Sequence, residues 1–403
     1  MRRIINFQSY RTALFFLIFV SILIPLLISS YATAKVINLK TEKLLEESLV
    51  DYGKQANSIY NNKLEQMLKT GMIIAKNKGL AAQIKENDVE SLRQFLNTII
   101  KIEEIDFALI VDRQGFVVAR ATTNLTGDRA SIGGIIVHSL NSSLAVASTS
   151  IVSEEELSRE TADLLLNARI RRIPSVTQKE TPEVYETDGM VQVAVIPLQA
   201  DGRIIGGVVL ANLLNRDHEI PEEIKSIIDV EASIFQHDFR ISTTLATEKG
   251  SRYIGTPLSE NIVAKTRKGE TFLGKTYTTS LSRAAYLPIM NYKGENAGVL
   301  GLEVSEERFR NSSFFFKERD FTQIMALLVL ASAALSFIIA FFLSKNIVVS
   351  INKLIRSAEQ VAEGNLEQGV DIKSYDEFNR LAKAFNIMIR SERRRFSRKK
   401  EQK

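Results

Sequence analysis

The chain has 403 residues, room for two or three domains, and its 52 Lys+Arg against 47 Asp+Glu give a formal net charge of +5. It contains no cysteine, which excludes disulfides, thiolate catalysis, zinc–thiolate sites and c-type haem attachment. Residues 390–403 carry eight Lys/Arg against two Glu, so the rest of the chain totals −1, and the positive excess marks a basic tail rather than a nucleic-acid-binding domain.

Two runs lack any charged side chain: 12–34 (TALFFLIFVSILIPLLISSYATA) and 321–344 (FTQIMALLVLASAALSFIIAFFLS). As helices each reaches roughly 35 Å at about 1.5 Å per residue, enough to cross a bilayer core of about 30 Å. The first run ends in Ala32-Thr33-Ala34, which is also compatible with a cleaved leader and a mature start at Lys35. Its apolar stretch from Ala13 to Ile28 is longer than a signal core, and an uncleaved anchor kinked at Pro25 is expected. Arg2, Arg3 and Arg11 before the first run and the basic tail after the second put 1–11 and the C-terminus in the cytoplasm. Residues 35–320 are then extracytoplasmic, and the tail 393–403 rests on anionic lipid.

Within 35–320 the apolar spacing is first helical. Leu45, Leu49, Tyr52, Ala56 and Ile59, with Tyr60, Leu64 and Met67 beside them, predict a long amphipathic helix over about 36–83, able to pair with a second copy of itself. A shorter helix follows, with Asn87 as its cap and Glu90 three residues on. From residue 106 the pattern is that of strands. DFALIVDRQGFVVARAT (106–122) predicts a hairpin turning at Asp112–Gly115, and EASIFQHDFRISTT (231–244) another turning at His237-Asp238. PLQADGRIIGGVVLANLL (197–214) and PIMNYKGENAGVLGLEVS (288–305) share a proline, a turn glycine and a second glycine four residues on: Gly202 and Gly206 correspond to Gly294 and Gly298. The outer region therefore reads as a helical stalk (35–105) and a doubled unit (106–215 and 230–306) of antiparallel sheets, each with an open face. The excursion 123–190 is expected to roof the first sheet, with a Ser/Thr/Asn-rich stretch at 139–150, a helix start at Glu154–Glu156 and a helix through Leu164–Arg171.

The segments FALIVDRQGFVVARATTNLTGD, IVSEEELSRE, GRIIGGVVLANLLNRDHEI, ASIFQHDFRISTTLATEKGSRYIGT and AAYLPIMNYKGENAGVLGLEV resemble the Cache family of extracytoplasmic sensor domains, in a fused double form (Cache 3/Cache 2 fusion-like). The resemblance implies an α+β, PAS-like fold with a long N-terminal helix and curved antiparallel sheets that bind a small molecule. The amino-acid-binding members share a pocket pattern that includes a tryptophan. This chain has no Trp, so that pattern does not carry over and the ligand stays open.

Residues 345–392 resemble the HAMP linker, an α-helical module. INKLIRSAEQVAEG places Ile351, Leu354, Ile355, Ala358, Val361 and Ala362 on one helical face, with Gly364 as the C-terminal cap. NLEQGVDIKSY is an extended connector whose Leu366, Val370 and Ile372 can pack in helix grooves, and Asp376-Glu377 then start a second helix whose Phe378, Leu381, Phe385 and Met388 recur at three, four and three. The family usually carries a proline where Ser350 stands. Two such narrow stripes cannot enclose a core, but four helices from two chains can, so a homodimer is expected.

For the ligand, a small anion such as an organic acid, the candidates are Arg120, Asn124 and Asn212 in the first unit, and Arg240, Lys275, Tyr277, Arg283 and Tyr286 in the second. No metal site or cofactor is expected: His138, His218 and His237 are far apart, and no nucleophile elbow, phosphate loop or hydrolase motif is present. The sequence thus predicts a receptor, not an enzyme, that relays an outside ligand to a kinase, cyclase or chemotaxis partner, or to an output region of a longer chain. The alternatives are a membrane-tethered binding or scaffold protein without output, and an extracytoplasmic enzyme that no residue set supports.

Overall fold

The computed structural model describes residues 10–173, 183–247, 249–278, 281–305, 318–365, 369–371 and 377–401. The chain divides into two compact units, Met1–Thr41 with Ser313–Lys403, and Glu42–Ser312.

In chain order, the helices α1 (Tyr10–Ala75), α2 (Lys78–Lys85) and α3 (Val89–Ile102) precede the strands β1 (Phe107–Asp112) and β2 (Val117–Arg120). Then come α4 (Ile135–Ser142), β3 (Val146–Val152), α5 (Glu154–Ser158), α6 (Ala162–Ala168), the short strands β4 (Ile170–Arg171) and β5 (Tyr185–Glu186), and the long hairpin β6 (Gly189–Ala200) and β7 (Arg203–Leu213). The second half holds α7 (Glu219–Ile228), β8 (Glu231–Gln236), β9 (Phe239–Thr243), α8 (Glu260–Thr266), β10 (Phe272–Tyr277), β11 (Leu281–Met290) and β12 (Asn296–Ser305). α9 (Glu318–Ala362) and α10 (Glu377–Glu401) close the chain.

The two five-stranded sheets run β2-β1-β7-β6-β3 and β10-β11-β12-β8-β9. Numbered from its own first strand, each reads second–first–fifth–fourth–third, and every pairing among the described residues is antiparallel. The repeated glycine has a physical reason. A Cβ on Gly206 would lie 2.2 Å from the Val111 carbonyl oxygen, and one on Gly298 2.3 Å from that of Phe235, so in each sheet the fifth strand meets the first too closely for a side chain. The turns differ. Asp201 and Gly202, at φ 50° and 73°, make a two-residue turn, whereas Gly294 sits in a longer loop where Asn291 Oδ1 accepts from the Lys293 and Glu295 amides.

The helical stripe is satisfied within its own chain. Leu49, Ala56, Ile59 and Tyr60 pack with Ala232, Ile234, Ala285 and Leu300 of the second sheet, while Met67 and Ile74 pack with Ala108, Ile110 and Leu210 of the first. The pairing expected with a second copy therefore gives way, over Leu49–Ile74, to packing across both sheets. Gln192 Nε2 donates to the Tyr60 carbonyl and the Tyr60 hydroxyl meets Thr149 Oγ1 at 2.6 Å, so buried polar groups on the sheet also register the helix. Burial pushes the Tyr60 phenol up to about 12.

Three local expectations are corrected. The long helix breaks after Ala75, where Asn77 caps α2 through the Gly79 amide. The cap of α3 is Asp88, whose carboxylate accepts from the Ser91 amide, and Asn87 instead takes φ 55°. The Ser/Thr-rich stretch contains strand β3, in which Val146, Ile151 and Val152 flank Ser148-Thr149-Ser150 and pair along β6 at the edge of the first sheet.

Candidate functional site

The second sheet has two unlike faces. Phe239 and Ile241 of β9 join the core against α1, so Arg240 between them projects to the other face. There Phe235, Ile262, Ala284, Tyr286 and Val299 form a small apolar cluster under α8. The Arg240 guanidinium stacks over the Phe235 ring at 4.9 Å and donates from Nη2 to Glu303 Oε1 at 3.0 Å. The Tyr286 hydroxyl donates to the same oxygen at 3.1 Å. Arg240 is 3% exposed and Glu303 4%.

Arg240 Nε and Nη1 have no hydrogen-bond partner among the described residues. Two buried donor nitrogens left unmet at a charged group are costly, and acceptor oxygens placed there would recover that cost. Burial pulls the guanidinium down from its usual range, with Glu303 acting against the shift. Burial, reinforced by the charge of Glu303, pushes the Tyr286 phenol well above its usual value. Glu303 also lines a cavity of about 370 Å³ together with Lys225, Thr244 and Ser282.

Of the five candidates in this unit, Arg240 and Tyr286 come together. Lys275 pairs in register with Arg283, and Tyr277 with Leu281, on the face opposite Tyr286, because Phe272 is the residue that pairs with Tyr286. Tyr277 is 77% exposed. Sequence reasoning missed Glu303, although a lone carboxylate inside the apolar run GVLGLEVS was a usable signal.

In the first unit Arg120 is equally buried but fully engaged. Its Nε donates to Glu160 at 2.8 Å, its two terminal nitrogens to Asp128 at 2.7 Å each, and Nη1 also to the Leu125 carbonyl. Arg159 donates to Asp128 as well. The excursion does lie over the sheet, but Ile132, Ile136, Leu140, Leu157 and Leu164 fill the space against Phe107, Leu109 and Val209. What remains beside Arg120, Asp128 and Glu160 is a cavity of about 10 Å³. Asn212 Oδ1 accepts from the Asp106 amide, and Asn124 sits exposed in the loop after β2. Glu160, also missed from sequence, is pushed up to about 7 by burial against the opposing pull of Arg120.

In the other unit, two helices are long and apolar enough to cross a membrane, with candidate spans at Phe15–Thr33 and Ala326–Ala362. The helix assignment of α1 continues through Pro25. Phe15 and Phe337 meet edge to face at 5.1 Å. Gly364, at φ 87°, ends α9: its amide donates to the Val361 carbonyl and that of Asn365 to Gln360, the paired bonds of a Schellman cap. Leu354 and Phe385 pack on Val370 and Ala382. Asn386 clamps the connector, its Oδ1 accepting from the Val370 amide at 2.7 Å and its Nδ2 donating to the Val370 carbonyl at 2.8 Å. Ile351, Ile355, Leu381 and Met388 are 39%, 49%, 53% and 46% exposed in the single chain. Glu377 opens α10, while Asp376, Leu366 and Ile372 lie outside the described residues, as do the side chains of Glu377 and Phe378.

Residues 212–313 match the model for single cache domain 3, and residues 342–394 match the HAMP domain. The chain carries a Cache sensor followed by a HAMP domain. Together with two candidate spans, that pairing supports a transmembrane sensory receptor that relays a signal. The Cache match spans the second sheet, and the first sheet repeats the same strand order outside the matched residues. No curated relative matches the chain. Solved structures similar to it include the periplasmic domain of Vibrio cholerae LuxQ (12% identity, 64% of this chain and 100% of that one, TM-score 0.36). The sensor domain of the V. cholerae histidine kinase DctB is similar at 10% identity (66% and 99%, TM-score 0.38). So is the ligand-binding domain of the Pseudomonas aeruginosa amino-acid chemoreceptor PctB, in complex with L-Gln, at 10% (70% and 98%, TM-score 0.37). At such scores these neighbours add nothing to the assignment, which rests on the two family models.

Proposed function

We propose that the chain is a homodimeric inner-membrane receptor whose second sheet unit captures an extracytoplasmic small molecule through Arg240, and whose HAMP helices repack to drive a kinase, cyclase or chemotaxis-type output. The observation that carries the ligand reading is the pair of unpartnered nitrogens, Nε and Nη1, on Arg240, a side chain 3% exposed. They call for a ligand with a carboxylate or carbonyl oxygen. Glu303, itself held by the Tyr286 hydroxyl, anchors the guanidinium, so the fork is presented without further ordering. The partly exposed Ile351, Ile355, Leu381 and Met388 support a second chain as the missing half of a four-helix HAMP core. A ligand that favours one of two packings of that core would shift the output equilibrium.

The test is a thermal-shift screen of the detergent-solubilised full chain against organic acids, amino acids, amines and purines. A ligand at about 100-fold above its Kd stabilises by roughly 2.7 kcal/mol. Arg240→Lys retains a charge for Glu303 but removes the fork, and is expected to abolish the shift of the ligand held by Arg240. If every ligand that shifts wild type shifts that variant fully, Arg240 is removed from the site.

A further inference from the structure

A third cavity, of about 660 Å³ and with Arg240 not among its lining residues, lies at the junction of the two sheet units. Ile170, Arg171 and Ile173 line it from the end of the first unit, Arg216 and His218 from the connector, and Ser251, Arg252 and Ile254 from the loop after β9. Its walls are braced. The Ile173 amide donates to the Gly255 carbonyl at 2.9 Å, and Arg172 Nη2 reaches both Asp238 carboxylate oxygens at 2.6 Å. The floor is apolar: Ile170 is fully buried and Ile254 packs against the main core.

The rim is cationic. Arg171 pairs with Glu183 at 2.8 Å, and Arg252 with Glu222 at 2.6 Å while donating to the Thr243 carbonyl. Arg216 is different. Its Nη2 donates to the Arg169 carbonyl at 3.1 Å, and no carboxylate is within ion-pair range of it among the described residues. Its backbone is held at φ 61° with its amide donating to the Ile241 carbonyl, so the chain accepts an unfavourable conformation where the guanidinium is presented. Burial first, and then the charge of Arg252, lowers the proton affinity of His218, with Glu222 opposing and Arg216 adding to the shift.

We propose that this junction cavity binds a small organic oxyanion: Arg216 and Arg171 take the carboxylate or phosphate, and the isoleucine floor takes the hydrocarbon body. The site is distinct from the Arg240 site and stands or falls separately. Because its walls come from both sheet units, occupancy ties them together.

The probes are benzoate, succinate and inorganic phosphate, titrated by calorimetry into the detergent-solubilised full chain. Benzoate or succinate is expected to bind, and phosphate, with no apolar body, more weakly. Arg216→Asn tolerates the positive φ while removing the guanidinium, and combined with Arg171→Gln is expected to weaken binding at least tenfold, about 1.4 kcal/mol. Arg240→Lys is expected to leave it unchanged. Absence of binding by all three probes, equal affinity in the Arg216→Asn/Arg171→Gln variant, or loss of binding in Arg240→Lys alone would each overturn the assignment.

Discussion

Glu160→Gln isolates one buried charge. In the folded chain Glu160 is 4% exposed and its carboxyl is raised from 4.5 to about 7, chiefly by burial, although Arg120 donates to one oxygen and the other has no partner among the described residues. The sign follows from linkage. The folded state holds this proton more tightly than the unfolded state, so the favourable contribution is complete below pH 4.5 and is lost as pH rises through about 7. The shift corresponds to about 3 kcal/mol, of which roughly 2.5 kcal/mol develops between pH 5 and 8. Glutamine keeps an oxygen for Arg120 and cannot ionise. Urea denaturation of the solubilised chain, followed by circular dichroism, should therefore show wild type losing roughly 2.5 kcal/mol relative to the variant from pH 5 to pH 8. Parallel pH profiles for the two proteins would show that Glu160 is ionised throughout and that its ion pair with Arg120 outweighs burial.

Gly298→Ala puts a methyl 2.3 Å from the Phe235 carbonyl oxygen and should cost about 1–3 kcal/mol or more in the same assay, with Gly206→Ala behaving alike against Val111. Asn386→Ala leaves the Val370 amide and carbonyl without their clamp, and should loosen the connector by about 1–3 kcal/mol, visible as faster proteolysis between the HAMP helices. With no native cysteine, Leu381→Cys and Met388→Cys should crosslink between chains in membranes if these exposed apolar positions face a partner, and monomeric protein after oxidation would count against the dimer. Arg120→Met strands Asp128 and Glu160 in the interior, and should cost about 3–5 kcal/mol of stability, a far larger effect than Asn124→Ala in the exposed loop.

Much of the architecture was legible because it is written in local period. The uncharged runs, the helical stripe at Leu49–Met67, the hairpins at Asp112 and His237, the repeated glycine pair and the Gly364 cap each act over a few residues, where spacing and turn chemistry decide the backbone. The site was legible only in part. Arg120 and Arg240 look alike in sequence, each the lone cation of its unit's second strand, yet Asp128, Glu160 and the Leu125 carbonyl give every nitrogen of one an acceptor, while Glu303 leaves Nε and Nη1 of the other unmet.

Sequence by itself determined the long helix, the two hairpins and the two runs long and apolar enough to span a membrane, and that a doubled sheet precedes a HAMP-like pair of helices. The tertiary structure alone decided what covers the helical stripe, that the first unit's roof is packed solid, and which arginine keeps free hydrogen-bonding capacity. The reason is range: periodicity records which face a residue shows, but the partner on that face comes from 40 residues away for Arg120 with Glu160 and 63 for Arg240 with Glu303, and only the folded chain sets those distances.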